Sequence, residues 1–200
     1  MGFDERAQNW DRSSRRRALA DAVAEAILRH VALTPSMHLL DAGAGTGLLT
    51  RRLLPYVGAV TGVDTSAAML EKFAAIGGDT EAVCRDILTF RSAEPFDGIV
   101  SSMTIHHIEK IPLLFERLYA LLKPGAFVAI ADLMPEDGTF HDRGNDGVYH
   151  FGFDETTLAR ASRNAGFDDP FYTRVHTVKK ESGREYGIFL FTARKGARKR

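Results

Sequence analysis

The chain has 200 residues, 44% of them hydrophobic, which fits one globular domain. Its 26 basic and 26 acidic side chains cancel, so the charge balance argues against a broad electrostatic surface for nucleic acid or an anionic membrane. A single cysteine, no apolar stretch of bilayer length and a charged N-terminal segment without an apolar signal core together predict a cytoplasmic protein.

Short strands alternate with helices over the first two thirds of the chain. Residues 15–33 have the apolar spacing of a helix, which Thr34-Pro35 ends. Each segment between the strands that follow also fits a helix or a turn. This succession of strand–helix units predicts a parallel sheet with helices on both faces. The predicted strands are 37–41, 59–63, 81–84, 96–100 and 126–131.

The pattern changes after residue 132. Residues 133–153 are polar, glycine-rich and too long for an ordinary connection, so we expect a loop that covers a substrate. A helix over 154–165 precedes two alternating stretches at 171–178 and 188–194, which predict a hairpin and therefore an antiparallel strand at the end of the sheet. We expect a single domain over residues 1–200.

The segment 39–47, which reads Leu-Leu-Asp-Ala-Gly-Ala-Gly-Thr-Gly, carries the main functional signal. An apolar strand ends at Asp41, and a helical pattern begins at Leu48. The glycines between them permit positive φ and close approach of a ligand. At the end of a parallel strand, such a turn forms a nucleotide-type pocket. The glycines are Gly43, Gly45 and Gly47.

Acidic side chains follow four of the predicted strands. Asp64 lies about twenty residues past the glycines, where a carboxylate reaches ribose hydroxyls. The alternative for Asp64 is capping of the next helix, since acids are favoured at helix N-termini. Asp86 is either a surface loop acid or an acceptor for an adenine amino group, and Asp132 is either a loop acid or a substrate-facing one. Asp41 is the fourth.

A nicotinamide dinucleotide would require the pattern Gly-x-Gly-x-x-Gly or Ala. Here Gly43 and Gly45 match, but position 48 is Leu48. The additional acid Asp41 could hold a cationic amine, directly or through the loop. These departures favour a different ligand. An NAD(P)-dependent oxidoreductase and a nucleotide-binding module without catalysis remain the alternatives.

The motifs resemble those of the class I S-adenosylmethionine-dependent methyltransferases. The chain is most similar to the small bacterial group that includes the ubiquinone and menaquinone-biosynthesis methyltransferases. The resemblance implies a Rossmann-like, seven-stranded, mostly parallel sheet in the order 3-2-1-4-5-7-6, with strand 7 antiparallel and helices on both faces. It is carried by 39–47, 62–70, Asp86-Ile87, 96–108 and 121–125, where Ala126 replaces a usual second glycine.

The resemblance also implies how S-adenosylmethionine binds, with S-adenosylhomocysteine as the product. Its methionine end lies over the turn 41–45, its ribose at Asp64 and its adenine amine at Asp86. Residues 1–34 become a helical arm over the cofactor site, in which Trp10 either covers the cofactor or docks the arm. The implied cofactor-binding residues are Trp10, Asp41, Ala42, Gly43, Gly45, Asp64, Thr65, Met69, Asp86, Ile87, Ser101 and Ser102.

Methyl transfer from a sulfonium is an in-line displacement, so the protein mainly aligns the reactants and excludes water. A base is needed only if the acceptor must lose a proton, and histidine suits that task near neutral pH. We select His107 and His150 as candidate catalytic residues from a set that also contains His106, His141 and Tyr149.

The nature of the acceptor is less directly indicated. Zero net charge and the absence of an Asn-Pro-Pro-Tyr motif after strand 4 disfavour a tRNA or protein methyltransferase, so we expect a small-molecule acceptor, no nucleic acid and no membrane. The aromatic residues within 133–153 would suit a planar or apolar acceptor. The histidines are scattered along the sequence without zinc spacing, so no metal site is predicted.

Overall fold

The computed structural model describes residues 7–142 and 144–196. Its seven strands form one sheet in the order β3-β2-β1-β4-β5-β7-β6, which confirms the predicted order. Strands β1 to β5 pair in parallel, and β7 runs antiparallel to β5 and β6. The strands are β1 His38–Ala42, β2 Ala59–Asp64, β3 Thr80–Cys84, β4 Phe96–Ser102, β5 Leu122–Leu133, β6 Phe167–Lys179 and β7 Glu185–Lys195.

Helices fill most of the connections, and three of them begin with the side-chain caps that their sequences favour. The oxygens of Ser13, Ser66 and Asp154 each accept the backbone N–H three residues on, which satisfies a donor of the first turn. The α-helices are α1 Ser14–His30, α2 Leu48–Leu53, α3 Ala67–Ala74, α4 Ile111–Leu121 and α5 Glu155–Asn164, and short 3-10 helices occur at Ala7–Arg12, Leu54–Tyr56 and Ile105–His107.

The core lies on both faces of the sheet. In β5, Val128 and Ile130 pack in one apolar cluster with α4 and α5, whereas Ala129 and Ala131 pack in the other with α1, α2 and α3. Alternate burial on two faces is what a central strand covered by helices requires. With both faces occupied, the carboxyl ends of the parallel strands are the edge at which polar groups gather.

Strand limits differ from the predictions mainly at turns. β5 begins at Leu122, so Lys123, Pro124 and Gly125 lie inside the strand rather than before it. An irregular register between Phe96 and Gly98 of β4 accommodates them. β6 is also longer than its predicted 171–178, and its pairing with β7 contains two irregularities in register. Among the described residues, the helices are all too short or too polar to cross a membrane.

Candidate active site

The glycine turn is held tightly on one side and open on the other. The N–H groups of Gly43 and Ala44 both donate to the Val63 carbonyl of β2, at 2.8 and 3.1 Å. Gly43 has φ +74°, and a Cβ built on it would lie 2.2 Å from the Thr104 side chain. Gly45 has φ +54°, but a Cβ there would meet nothing within 4 Å. The turn therefore packs against Thr104 and leaves space for a ligand over Gly45.

Asp64 connects this turn to the start of α3. Its Oδ2 accepts the Gly45 N–H at 2.8 Å, and its Oδ1 accepts the Ser66 N–H at 2.9 Å. A carboxylate has about four acceptor positions, so these two bonds leave capacity for hydroxyl donors. Ser66, not Asp64, caps α3, so the capping alternative for Asp64 is wrong. The Asp64 carboxylate orders the turn before α3 and still presents acceptor positions beside Gly45.

Asp41 is buried at the end of β1, 2% exposed. Its Oδ2 accepts the Thr50 hydroxyl at 2.6 Å. Burial raises the pKa of Asp41 to about 7, and the charge of Asp64 adds to that rise. The Asp41 carboxyl is consequently poised to ionise near neutral pH, and a nearby cation would favour its charged form.

The residues expected around adenine have different environments. Thr65 and Asp86 are exposed, whereas Met69 and Ile87 are buried. Asp86 accepts the Leu88 N–H at 2.8 Å, which fixes the carboxylate in the turn after β3. The carboxyl ends of β2 and β3 therefore combine two exposed polar groups with two buried apolar side chains.

The described part of the N-terminal arm reaches the glycine turn. Asp11 accepts the Thr46 hydroxyl at 2.5 Å, a contact between residues far apart in sequence. The Arg16 guanidinium lies 3.8 Å from the Trp10 ring centroid, a cation–π contact. Trp10 is thus held in the segment next to the turn. Whether it covers a cofactor stays a prediction. The Asp11–Thr46 pair has no local sequence signature that would predict it.

The two serines at the end of β4 have different roles. Ser101 is buried, and its hydroxyl donates to the Ala42 carbonyl at 2.7 Å, which joins β4 to β1. Ser102 is partly exposed. Beyond them, the Thr104 hydroxyl lies 3.3 Å from the Gly43 carbonyl. The polypeptide that follows β4 is therefore attached to the glycine turn.

His106 and Asp132 form a buried pair across the ends of β4 and β5. His106 Nδ1 lies 2.6 Å from Asp132 Oδ1, and the two side chains are 2% and 0% exposed. The same carboxylate accepts the N–H of Leu133 at 2.7 Å. Asp132 is thus a positioning group for His106, which resolves the role that its sequence position left open.

His107 and His141 lie beside that pair. His107 Nδ1 is 2.7 Å from the Gly147 carbonyl. The His141 ring lies 5.1 Å from that of His106 and 5.7 Å from that of His107, centroid to centroid. Burial lowers the pKa of His141 to about 4, and the neighbouring histidines lower it further. These histidines are scattered along the sequence but lie together in the fold, so their sequence spacing does not argue against a metal.

The segment 133–153 packs over the 3-10 helix Ile105–His107. The N–H groups of Tyr149 and His150 lie 2.9 and 3.3 Å from the His106 carbonyl. His150 Nε2 donates to the Ile108 carbonyl at 3.0 Å, and the His150 ring packs against Phe153. Only part of the predicted aromatic cover faces inward, because Phe153 is buried whereas Tyr149 and Phe151 are exposed. Lid behaviour stays a prediction.

Comparisons with known proteins agree on one family. A family model described as a methyltransferase domain matches residues 12–169. An uncharacterized methyltransferase of Schizosaccharomyces pombe is 31% identical over 153 residues, which cover 66% of this chain and 54% of that protein. Trans-aconitate 2-methyltransferase of Klebsiella pneumoniae is 32% identical over 113 residues, covering 56% and 44% respectively. The chain thus spans about half the length of these two relatives.

The fold comparison extends over nearly the whole chain. The structure of DhpI in complex with SAH superposes with a TM-score of 0.78 at 20% identity, covering 98% of this chain and 94% of that one. The similarity to the quinone-biosynthesis group stays a prediction, since neither relative above is named for such a pathway. The family model, the strand order and the glycine turn agree, and the chain belongs to the class I S-adenosylmethionine-dependent methyltransferases.

Proposed function

We propose that this chain transfers a methyl group from S-adenosylmethionine to a small-molecule acceptor. One observation carries the proposal: the Asp64 carboxylate holds the N–H of Gly45 at 2.8 Å, beside a face of the turn where a Cβ would meet no atom within 4 Å. A carboxylate that keeps unused hydrogen-bond acceptor positions, beside a turn with open space above it, suits a ligand that carries hydroxyl groups.

The chemistry of the donor set fits this cofactor. Asp64 would accept the ribose hydroxyls, and the buried carboxyl of Asp41 would face the positive charge of the methionine end. Asp86, with Thr65 beside it, would take the adenine amino group. When bound, S-adenosylmethionine supplies a sulfonium methyl group for in-line displacement. The turn departs from the dinucleotide fingerprint, because Leu48 occupies its third glycine position, and this argues against a pyrophosphate.

The acceptor would lie toward the ends of β4 and β5. There the His107 Nδ1–H donates to the Gly147 carbonyl, which selects the tautomer with the lone pair on Nε2. That tautomer can take a proton from an acceptor. His150 already donates from Nε2 to a main-chain carbonyl, so its Nδ1 would have to act. The two histidines thus differ in which ring nitrogen would act, and both His107 and His150 stay candidate bases, where a base is required.

A small molecule is the acceptor class that the surface favours. The balanced charge of 26 acids and 26 bases argues against a broad basic surface for RNA. Residues 133–153 lie over the edge of the sheet that carries the histidines. A substrate lid in that position would admit only a compact acceptor. The relative named for trans-aconitate has a small carboxylic acid in its name, which agrees with this class.

The test supplies the untagged chain with methyl-deuterated S-adenosylmethionine and a panel of small acids, phenols and amines. Mass spectrometry then follows S-adenosylhomocysteine and any labelled product. We expect label in one class of small molecule, with turnover reduced by on the order of 100-fold in His107→Gln if that residue is the base.

Two results would contradict the proposal. One is label that enters RNA or protein fractions instead of small molecules. The other is a folded chain that fails to bind S-adenosylmethionine at all, which would leave a nucleotide-binding module without catalysis as the better account.

A further inference from the structure

We propose that His106, His107 and His141 form a binding site for a divalent transition metal of the Zn²⁺ class, next to the cofactor site. Each residue offers one ring nitrogen as a ligand, and these three nitrogens all lie within 4.8 Å of one another. Two of the histidines belong to the short helix after β4, and the third belongs to the segment 133–153. The site therefore exists only in the folded chain.

The surroundings orient two of these rings as metal ligands are oriented in proteins. Coordinating histidines commonly use their second nitrogen to bond a carboxylate or a backbone carbonyl. His106 Nδ1 lies 2.6 Å from Asp132 Oδ1, and His107 Nδ1 lies 2.7 Å from the Gly147 carbonyl. Both interactions fix the orientation of the ring and engage Nδ1, so Nε2 would be the coordinating nitrogen of each.

His141 supplies a further indication. Its Nδ1 is buried and has no hydrogen-bond partner among the described residues. A buried polar atom without a partner is costly, and a metal–nitrogen bond would remove that cost. Phe140 packs edge-on against the His141 ring, so the ring is held by an apolar neighbour rather than by a competing acceptor.

A modest movement would complete the site. Tetrahedral zinc with Zn–N bonds of about 2.05 Å requires ligand nitrogens about 3.3 Å apart. The separations of up to 4.8 Å must therefore shorten. The movement would come from His141, because His106 is held in the core by Asp132 whereas His141 lies on a surface segment. Binding of the metal would thus draw the segment 133–153 toward the end of β4.

Charges near the site work in opposite directions. The positive charge of the Lys180 ammonium, 2.6 Å from Asp142 Oδ1, acts on His141 and disfavours a cation there. The buried Asp132 carboxylate, directly behind His106, favours one. Three neutral imidazoles are a known donor set for catalytic zinc, in which water or substrate takes the fourth position.

A role in acceptor binding follows only if the proposed function is correct. An oxygen of the acceptor would then occupy the fourth position, and the metal would lower the pKa of a bound hydroxyl group. His107 cannot act as a base while it is coordinated to the metal. Metal binding itself can be measured without any methyl acceptor or cofactor, so failure of one proposal is distinguishable from failure of the other.

The experiment titrates Zn²⁺ by calorimetry into the untagged full chain after removal of metal by chelator, and repeats the titration with Co²⁺ while recording visible absorption. We expect one ion per chain and a four-coordinate cobalt spectrum. His141→Gln is the main variant, because its side chain is only partly buried. It should weaken Zn²⁺ binding by on the order of 100-fold, and Asp132→Asn by about 10- to 100-fold.

His30→Gln is the matched control, since His30 is exposed and lies against Phe171 far from the cluster in sequence. It should bind Zn²⁺ as the unmodified chain does. Circular dichroism shows whether each variant folds. The proposal is overturned if the folded wild-type chain takes up no stoichiometric Zn²⁺, or if His141→Gln and His30→Gln bind it with equal affinity.

Discussion

The two halves of the candidate site are built by different means. The cofactor half consists of the glycine turn 43–47 with the carboxyl ends of β1, β2 and β3. Its principal bond joins Gly45 to Asp64, residues that one strand–helix–strand unit brings together. The acceptor half consists of the ends of β4 and β5 with the segment 133–153. It depends on contacts between distant residues, such as His107 with Gly147.

This difference concerns both stability and function. The cofactor half is assembled from backbone geometry, because glycine φ angles and main-chain N–H groups shape it. The acceptor half is assembled from buried polar side chains, which are costly unless every partner is present. Substitutions in the first half should therefore act through conformation or binding, and substitutions in the second through loss of a buried partner.

The largest effect is expected for Asp132→Ala in the acceptor half. Removal of the carboxylate leaves His106 Nδ1 and the Leu133 N–H without their acceptor in a fully buried site. The loss should lower the free energy of unfolding by about 3–5 kcal/mol, as measured by urea denaturation. Asp146→Ala, an exposed acid on the following segment, should change it by less than about 0.5 kcal/mol. Equal losses in the two variants would show that the buried pair has no special weight.

A pair of glycine substitutions separates folding from binding within the cofactor half. Gly43→Ala introduces a Cβ 2.2 Å from Thr104 at positive φ, and should cost about 2–4 kcal/mol of stability. Gly45→Ala meets open space, so it should cost only about 1 kcal/mol for its positive φ. The Gly45 variant should nevertheless lose affinity for S-adenosylmethionine in calorimetry. A lower melting temperature for Gly45→Ala than for Gly43→Ala would contradict this view of the turn.

Asp41 links the cofactor half to pH. Its pKa is raised from 3.8 to about 7 in the folded chain, so the folded state holds a proton that the unfolded state releases above pH 3.8. This group's contribution is therefore fully present below pH 3.8 and is lost as pH rises toward 7, at about 1.4 kcal/mol per pH unit.

The measurement compares unfolding free energies of the wild-type chain and Asp41→Asn from pH 5 to 8. The wild type should fall relative to the variant up to about pH 7 and then run parallel to it. A constant difference across the range would mean that Asp41 keeps an ordinary pKa. A cationic ligand at Asp41 should also displace the proton, so S-adenosylmethionine should bind more tightly at pH 8 than at pH 6.

The sequence predicted the backbone geometry of the glycine turn well because its signals are local. An acid and three glycines between a strand and a helix dictate the turn, and the next strand ends at Asp64 within the same unit. The alternation of strands and helices indicated only a parallel sheet with helices on both faces, whereas the strand order came from the family resemblance. Even there, the bond between Asp11 and Thr46 has no local pattern to indicate it.

The acceptor half was predicted less well because its geometry is tertiary. His106 and His141 lie far apart in sequence, and their ring centroids are 5.1 Å apart only because the segment 133–153 folds back over β4. The sequence left Asp132 open between a loop acid and a substrate-facing one, whereas the structure buries it fully beside His106. Sequence spacing predicts zinc ligands when they share one turn or helix, and it carries no information about ligands brought together by a long connection.

The central claim is that the glycine turn and Asp64 bind an adenosyl sulfonium. Titration of S-adenosylmethionine by calorimetry into the wild-type chain, Asp64→Ala and the exposed control Asp79→Ala tests it most directly. The account predicts one ligand per chain, affinity reduced by on the order of tenfold or more in folded Asp64→Ala through loss of charged hydrogen bonds, and no change in Asp79→Ala. Unchanged affinity in Asp64→Ala, or tight binding of NAD in place of S-adenosylmethionine, would contradict it.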